Sequence, residues 1–163
     1  MVRAAYLHEG PVYMRFGRAA VPVVHEEGMT FQIGKGETLR EGKDVAIIAN
    51  GLMVAEAVEA GKALAEAGIS ARIINMATIK PLDEELVLAA AKKCGKVITA
   101  EEHSIIGGLG EAVCSLLSEK LPVPVKRVGV NDEYGHSGPA GALLKAFGLS
   151  AEHIVEVAKD FCK

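Results

Sequence analysis

"DVAIIANGLMVAEAVEAGKALAEAG", residues 44–68, decides the fold class. Its first seven residues are a nearly unbroken apolar run, the pattern of a strand buried on both faces. Asn50-Gly51 then turn the chain into a stretch where Val54, Val58 and Leu64 lie near helical spacing, and Gly68 stands where a helix-ending glycine belongs. The unit repeats. "ARIINMATI" (71–79) reads as the next strand, broken by Lys80-Pro81. Asp83, Glu84 and Glu85 open a helix that ends in Lys92, Lys93 and Gly95, with acids first and bases last as the helix dipole favours. "KVITAEE" (96–102) is the third strand, followed by "EAVCSLLSEKL" with Val113, Leu116, Leu117 and Leu121 on one side. "PVPVKRVGV" (122–130) is the fourth. Two helices come next, one from Pro139 to Gly148 and one after Ser150, which has the makings of an N-cap with Leu149 and Ile154 as a hydrophobic staple. Strands alternating with amphipathic helices predict an α/β fold, a parallel sheet covered by helices.

The first 42 residues break this rhythm. "GPVYMRFGR" (10–18) is strand-like, but Pro22, Gly28, Gly34, Gly36 and Gly42 punctuate the next stretch too often for a helix. The expected order is a strand, a long connection and a short strand at "TFQIG" (30–34). A chain opening "MVRAAYLHEGPVYMRFGR" reads as one that begins inside a domain.

Half of the 163 residues are hydrophobic, enough for a proper core. The net charge of −3, with both signs interspersed, gives no basic stripe for nucleic acid. The three cysteines, Cys94, Cys114 and Cys162, are far apart and read as reduced thiols of a cytosolic protein rather than a disulfide framework or metal site. No apolar run approaches the roughly 18 residues of a membrane span. A cytoplasmic location is expected, without nucleic acid or membrane as partner.

Four groups of residues are candidates for chemistry. "TAEEHSIIGGLGEAV" (99–113) places three glycines between a strand and a helix, as a phosphate-cradling loop would. Its spacing is G-G-x-G rather than G-x-G-x-x-G, no Lys-Ser/Thr pair comes after it, and Glu101, Glu102 and Glu111 crowd the place of a phosphate. A tight strand-to-helix turn is favoured. Glu101, Glu102 and His103 could form an acid-base group at a strand's carboxyl end. Alternatively, one carboxylate caps the N–H groups of the glycine turn while the other faces a partner, and this is the favoured reading. "NDEYGHSG" (131–138) offers an acid, His136 and Ser137, but Ser137 sits better as a helix cap than as a nucleophile. His136 is left for an interface or a substrate channel. His8, His25 and His153 lack metal-ligand spacing. Arg15 and Arg18 could fork onto a phosphate or carboxylate, or make surface ion pairs, and spacing does not decide between these.

Taken together, "GPVYMRFGRAAVP", "LREGKDVAIIANGLMVAEAVEAGKALAEAGISARIINMATIKPLDEE", "VITAEEHSIIGGLGEAV" and "GVNDEYGHSGPAGALLKAFGLSAEHIVE" closely resemble the C-terminal part of transketolases, over essentially the whole chain and in order. The resemblance implies a three-layer α/β/α sandwich with a mostly parallel five-stranded sheet. It implies that residues 1–22 are the tail of a pyrimidine-binding domain, 23–42 a linker and 43–163 the transketolase C-terminal domain. Family members move a two-carbon ketol unit between sugar phosphates with thiamine diphosphate and a divalent metal, Mg. Here no Gly-Asp-Gly metal and diphosphate motif occurs, so the chain alone is expected to be inactive, with no catalytic, cofactor-binding or metal-binding residue of its own. Missing N-terminal domains or a separate subunit are the implied partners, together with a homo-oligomer. Arg18, in "FGRAAVP", matches the family arginine that contacts the substrate phosphate. Glu102, His103 and His136 are the implied interface candidates. The corresponding domain of a deoxyxylulose phosphate synthase or of a 2-oxo acid dehydrogenase β subunit resembles it too, and a non-catalytic binding or assembly module is the alternative from another class.

Overall fold

The structure, a computed structural model, describes residues 1–18, 20–25 and 28–163. Five strands, β1 (Glu37–Arg40), β2 (Val45–Ala49), β3 (Ala71–Asn75), β4 (Val97–Ser104) and β5 (Val125–Val130), form one sheet in the order β1-β3-β2-β4-β5. β2 to β5 run parallel, and β1 joins the edge antiparallel to β3. The helices are α1 (Val2–Tyr6), α2 (Met53–Glu66), α3 (Glu84–Cys94), α4 (Leu109–Lys120), α5 (Ala140–Ala146) and α6 (Ala151–Phe161). α2 and α6 cover one face of the sheet, α3 and α4 the other. This is the three-layer sandwich with a mostly parallel five-stranded sheet that the resemblance implied.

The alternation of side chains along a strand explains the apolar run that fixed the fold. Val45, Ile47 and Ala49 join the core under α2 and α6, while Ala46 and Ile48 join the core under α3 and α4. A strand between two helical layers has no polar face to offer. The small residues of α2 have a matching role: a Cβ at Gly61 would stand 3.1 Å from Ile73 Cδ1, so the helix lies close on β3.

The N-termini of α3 and α6 are closed by N-cap side chains. Asp83 caps α3 by accepting from Leu86 N at 3.2 Å, and its other oxygen accepts from Gly36 N at 3.1 Å, tying the approach to β1 onto the same helix. Ser150 caps α6 at 3.4 Å from His153 N, with Leu149 and Ile154 buried beside it as a staple. The sequence did not show that Glu56 of α2 also accepts from Ala151 N, at 2.7 Å. A carboxylate at a helix N-terminus stabilises more than a hydroxyl at long range, so Glu56→Ala is expected to cost about 1.5 kcal/mol and Ser150→Ala about 0.5–1 kcal/mol. Urea unfolding of the two variants checks the order.

Four local expectations need correction. "GPVYMRFGR" forms no strand: residues 11–17 carry no regular secondary structure and pair with no strand of the sheet. "TFQIG" is not a strand either, and β1 starts a few residues later. Gly34 N and Gly36 N bond to the side chains of Thr78 and Asp83, which replaces a ladder there. β5 begins only at Val125, because Pro122 and Pro124 have no N–H to give. Ser137 is not the cap of α5, whose N-cap position is Pro139 with no side-chain bond.

Candidate functional site

The strand order reverses at β2: the chain steps outward to β3 and then returns to lay β4 on the other side. Open α/β sheets bind ligands at the carboxyl ends of the strands beside such a reversal. The turn from β4 to α4 stands there. Its helix would offer N–H groups to an anion if they were free. They are not. Glu101, only 2% exposed, sets one carboxylate oxygen 2.8 Å from Leu109 N and the other 2.7 Å from Gly110 N. Gly107 N donates to Glu111 Oε2 at 2.7 Å, and Ile106 N to Ser104 Oγ at 3.1 Å.

The glycines of the turn serve that closure. A Cβ on Gly108 would overlap the Glu101 carboxylate, and one on Gly110 would lie 2.8 Å from Thr99 Oγ1. The small residues admit a glutamate of the same chain where a nucleotide loop admits a phosphate. Of the two roles read for the acids, capping of the glycine turn falls to Glu101.

Just before the turn the ladder between β4 and β5 slips. Pairing passes from Ala100↔Val128 to Ser104↔Val130, so residues 101–103 stand opposite Gly129 alone. This bulge needs the glycine: a Cβ there would lie 2.9 Å from His103 O and 3.0 Å from Ile105 Cγ2. Arg127 Nη1 holds the far side of the bulge by donating to Ile105 O at 2.8 Å. Gly129→Ala is therefore expected to destabilise by about 1–3 kcal/mol, the usual cost of overpacking, which thermal unfolding would register.

The other candidate residues spread around this end of the sheet. Glu102 is half-buried, and its carbonyl accepts from Arg15 Nη1 at 3.1 Å. His103 is exposed, with Nδ1 2.8 Å from Ser104 O. Arg18 is exposed and makes no hydrogen bond among the described residues. His136 is exposed and stacks on Phe147, with ring centroids 5.6 Å apart. The structure thus brings Arg15 to Glu102 but leaves Arg18 and His136 facing outward.

At the same carboxyl end of the sheet, beside the last residue of β3, His25 has a role that spacing could not reveal. Its Nδ1 lies 2.7 Å from Glu37 Oε2 and its Nε2 lies 3.1 Å from Asn75 Nδ2, so the connection before β1 is fastened to the sheet's edge. Beside it, Val24, Leu39 and Val58 line a cavity of about 880 Å³. Cys94, Cys114 and Cys162 are free thiols, and burial pushes all three up from the ordinary thiol range, which makes them poor nucleophiles.

These residues do not fit a seat for a diphosphate cofactor and its metal. The helix N-terminus at the reversal point is filled by Glu101, and no group of three or more His, Cys, Asp and Glu able to hold a metal occurs among the described residues. No described helix is long and apolar enough to cross a membrane.

A three-layer α/β/α sandwich whose reversal point is closed by its own glutamate is an α/β domain of the kind that holds no nucleotide at that turn. The chain belongs to the transketolase family: the family model described as transketolase, C-terminal domain, matches residues 34–154. It is 47% identical over 98% of its length to a 6-deoxy-6-sulfo-D-fructose transketolase subunit from Clostridium sp. (strain MSTE9), covering 51% of that protein. It is 40% identical over 98% of its length to 1-deoxy-D-xylulose-5-phosphate synthase from Heliobacterium modesticaldum (strain ATCC 51547 / Ice1), covering 25% of that one. Among solved structures it superposes with a TM-score of 0.94 on a chain described as a split gene transketolase, inactive beta4 tetramer, at 50% identity, covering 98% of this chain and 52% of the other. The chain therefore spans about half the length of the transketolase relatives it matches.

Proposed function

We propose that this chain is the C-terminal part of a thiamine diphosphate-dependent transketolase, which transfers a two-carbon ketol unit between sugar phosphates. Its share of that work is assembly and the presentation of one substrate-binding arginine. The observation that carries the reading is the match at 50% identity to about half of one chain of a split gene transketolase, whose own description is of an inactive beta4 tetramer. Residues 1–22 act as the tail of the pyrimidine-binding domain, 23–42 as the linker, whose last part supplies the edge strand β1 of the sheet, and 43–163 as the C-terminal domain. In keeping with this, the first segment exposes large apolar groups, with Tyr6 at 87%, Leu7 at 68% and Tyr13 at 91%. Exposed apolar surface of this kind marks a place for another protein surface. Glu102, His103 and His136 lie on the side that meets neighbouring domains or subunits, and a homo-oligomer completes the assembly.

The cofactor and its Mg ion supply the carbanion chemistry and are held by the diphosphate-binding and pyrimidine-binding domains. This chain contributes Arg18, whose planar guanidinium suits a tetrahedral oxyanion at the end of the sugar. The sugars named in two relatives both end in such a group, a sulfo group in one and a phosphate in the other. The 40% identity to a deoxyxylulose phosphate synthase supports a second reading, the corresponding domain of that enzyme, with the same role for Arg18. Calorimetry tests the division of labour: thiamine diphosphate with Mg²⁺ titrated into the isolated chain is expected to give no binding heat. Micromolar binding would contradict it.

A further inference from the structure

We propose that the tips of three loops at the carboxyl end of the sheet, carrying Ile79, Ile106 and Tyr134, are the seat of the pyrimidine-binding domain on this one, with Tyr134 as its anchor. The inference rests on reading residues 1–22 as the tail of that domain.

From residue 30 onward, the large apolar side chains exposed among the described residues are Ile79 at 39%, Ile106 at 55% and Tyr134 at 95%. Single exposed apolar residues are ordinary, but these three share one end of the sheet. Ile79 follows β3, Ile106 follows β4 and Tyr134 follows β5, each in the connection from a strand's carboxyl end to the next helix. In the order β3-β2-β4-β5 those strand ends span three spacings, about 15 Å. Lys80, His103, Glu133 and His136 are exposed around them. An apolar centre with a polar rim is the make-up of a protein interface.

Each tip is held in place by its neighbours. Thr78 Oγ1, next to Ile79, accepts from Gly34 N at 3.1 Å. Ile106 N donates to Ser104 Oγ, and Gly107 N to Glu111 Oε2. Two residues beyond Tyr134, His136 stacks on Phe147. Loops already fixed lose little conformational freedom when a partner covers them. A tyrosine adds a large contact area with few rotatable bonds, which singles out Tyr134 as the anchor.

The occupant follows from the path of the tail. Arg15 Nη1 donates to Glu102 O at 3.1 Å, and a Cβ on Gly17 would lie 3.7 Å from Glu102 Oε2, so the tail crosses this same end of the sheet. His25, bonded to Asn75 at the end of β3, lies there too. The superposition on the solved transketolase chain extends over 98% of this chain, tail included, and accounts for 52% of the other. The tail thus follows the same path in a chain that carries a further half. A domain joined through this tail is held over the three loops at high effective concentration, an advantage a second copy lacks. Arg18 then stands at the seam between the two domains.

The test uses the complete protein that contains this chain joined to its pyrimidine-binding domain. Photo-reactive p-benzoylphenylalanine is placed at Tyr134, at Ile106 and, as a control, at exposed Lys159 of α6. Mixing isotope-labelled with unlabelled protein before irradiation distinguishes cross-links within one chain from those between chains. The expected result is cross-links within one chain from positions 134 and 106 to the pyrimidine-binding domain, and none to that domain from position 159. In addition, Tyr134→Asp should quicken amide exchange over residues 76–80 and 104–107 by about fivefold or more and leave β2 unchanged.

Cross-links from both loop positions to a second copy, or to no protein at all, would overturn the proposal, as would unchanged exchange in Tyr134→Asp. Ketol transfer by the unsubstituted protein is measured alongside. Its absence with the cross-links in place would remove the transketolase reading and leave the interface standing, whereas transfer with the cross-links elsewhere would remove the interface alone.

Discussion

Glu101→Ala is expected to lower the unfolding free energy by about 3 kcal/mol or more, the largest loss from any single polar side chain at this end of the sheet. Three effects add. Two charge-assisted hydrogen bonds disappear, Leu109 N and Gly110 N are left as buried donors without acceptors, and the favourable placement of a carboxylate at the start of α4 is lost. Glu101→Gln separates these contributions. An amide keeps one acceptor oxygen but turns its NH₂ towards the second donor, so about 1.5–3 kcal/mol should remain lost. Chemical denaturation of the three proteins checks the order. A loss below about 0.5 kcal/mol in the alanine variant, the range of ordinary surface substitutions, would show that the turn does not depend on its glutamate.

Arg18→Ala, introduced into the complete enzyme, is expected to reduce kcat/KM for sugars that end in phosphate or sulfonate by roughly 10- to 100-fold, corresponding to about 1.5–3 kcal/mol for a charge-assisted bond. Arg18 is exposed in this chain and makes no hydrogen bond among the described residues, so its removal should leave the domain's melting temperature unchanged. The loss should fall on KM, because the distal anion is bound equally in the ground and transition states unless its binding energy is used at the reacting carbon. Ketoses without the terminal anion should be turned over as before. Equal loss on both kinds of sugar would remove the assignment.

Elements differ in how far the sequence reveals them, and the difference lies in how local each signal is. The run "DVAIIAN" implies a strand buried on both faces by itself, and the acids and bases of α3 mark its two ends within a few residues. Ser150, Leu149 and Ile154 form a cap and staple that spacing alone reveals. β1 was not legible, because a short antiparallel strand at a sheet's edge depends on β3, and its four half-buried residues carry no alternation. "GPVYMRFGR" misled for the converse reason: alternating residues suit a strand, but a strand also needs a neighbour for its backbone.

At the site, the spacing of the glycines and the crowding of acids excluded a phosphate loop, and the capping role for one carboxylate was legible in outline. That Glu101 fills it depends on the pleat, which turns Glu101 inward and leaves Glu102 half-exposed. The bulge opposite Gly129, the Glu56 bond to α6 and the pairing of His25 with Glu37 all join residues distant in sequence, and no pattern within one segment announces them.

Ketol transfer measured on this chain alone, and again after adding the diphosphate-binding and pyrimidine-binding domains with thiamine diphosphate and Mg²⁺, tests the division of labour most directly. The expected result is no transfer by the isolated chain and transfer on mixing, with saturation as the two parts reach equal amounts. Transfer by the isolated chain, or full activity of the other domains in its absence, would contradict it.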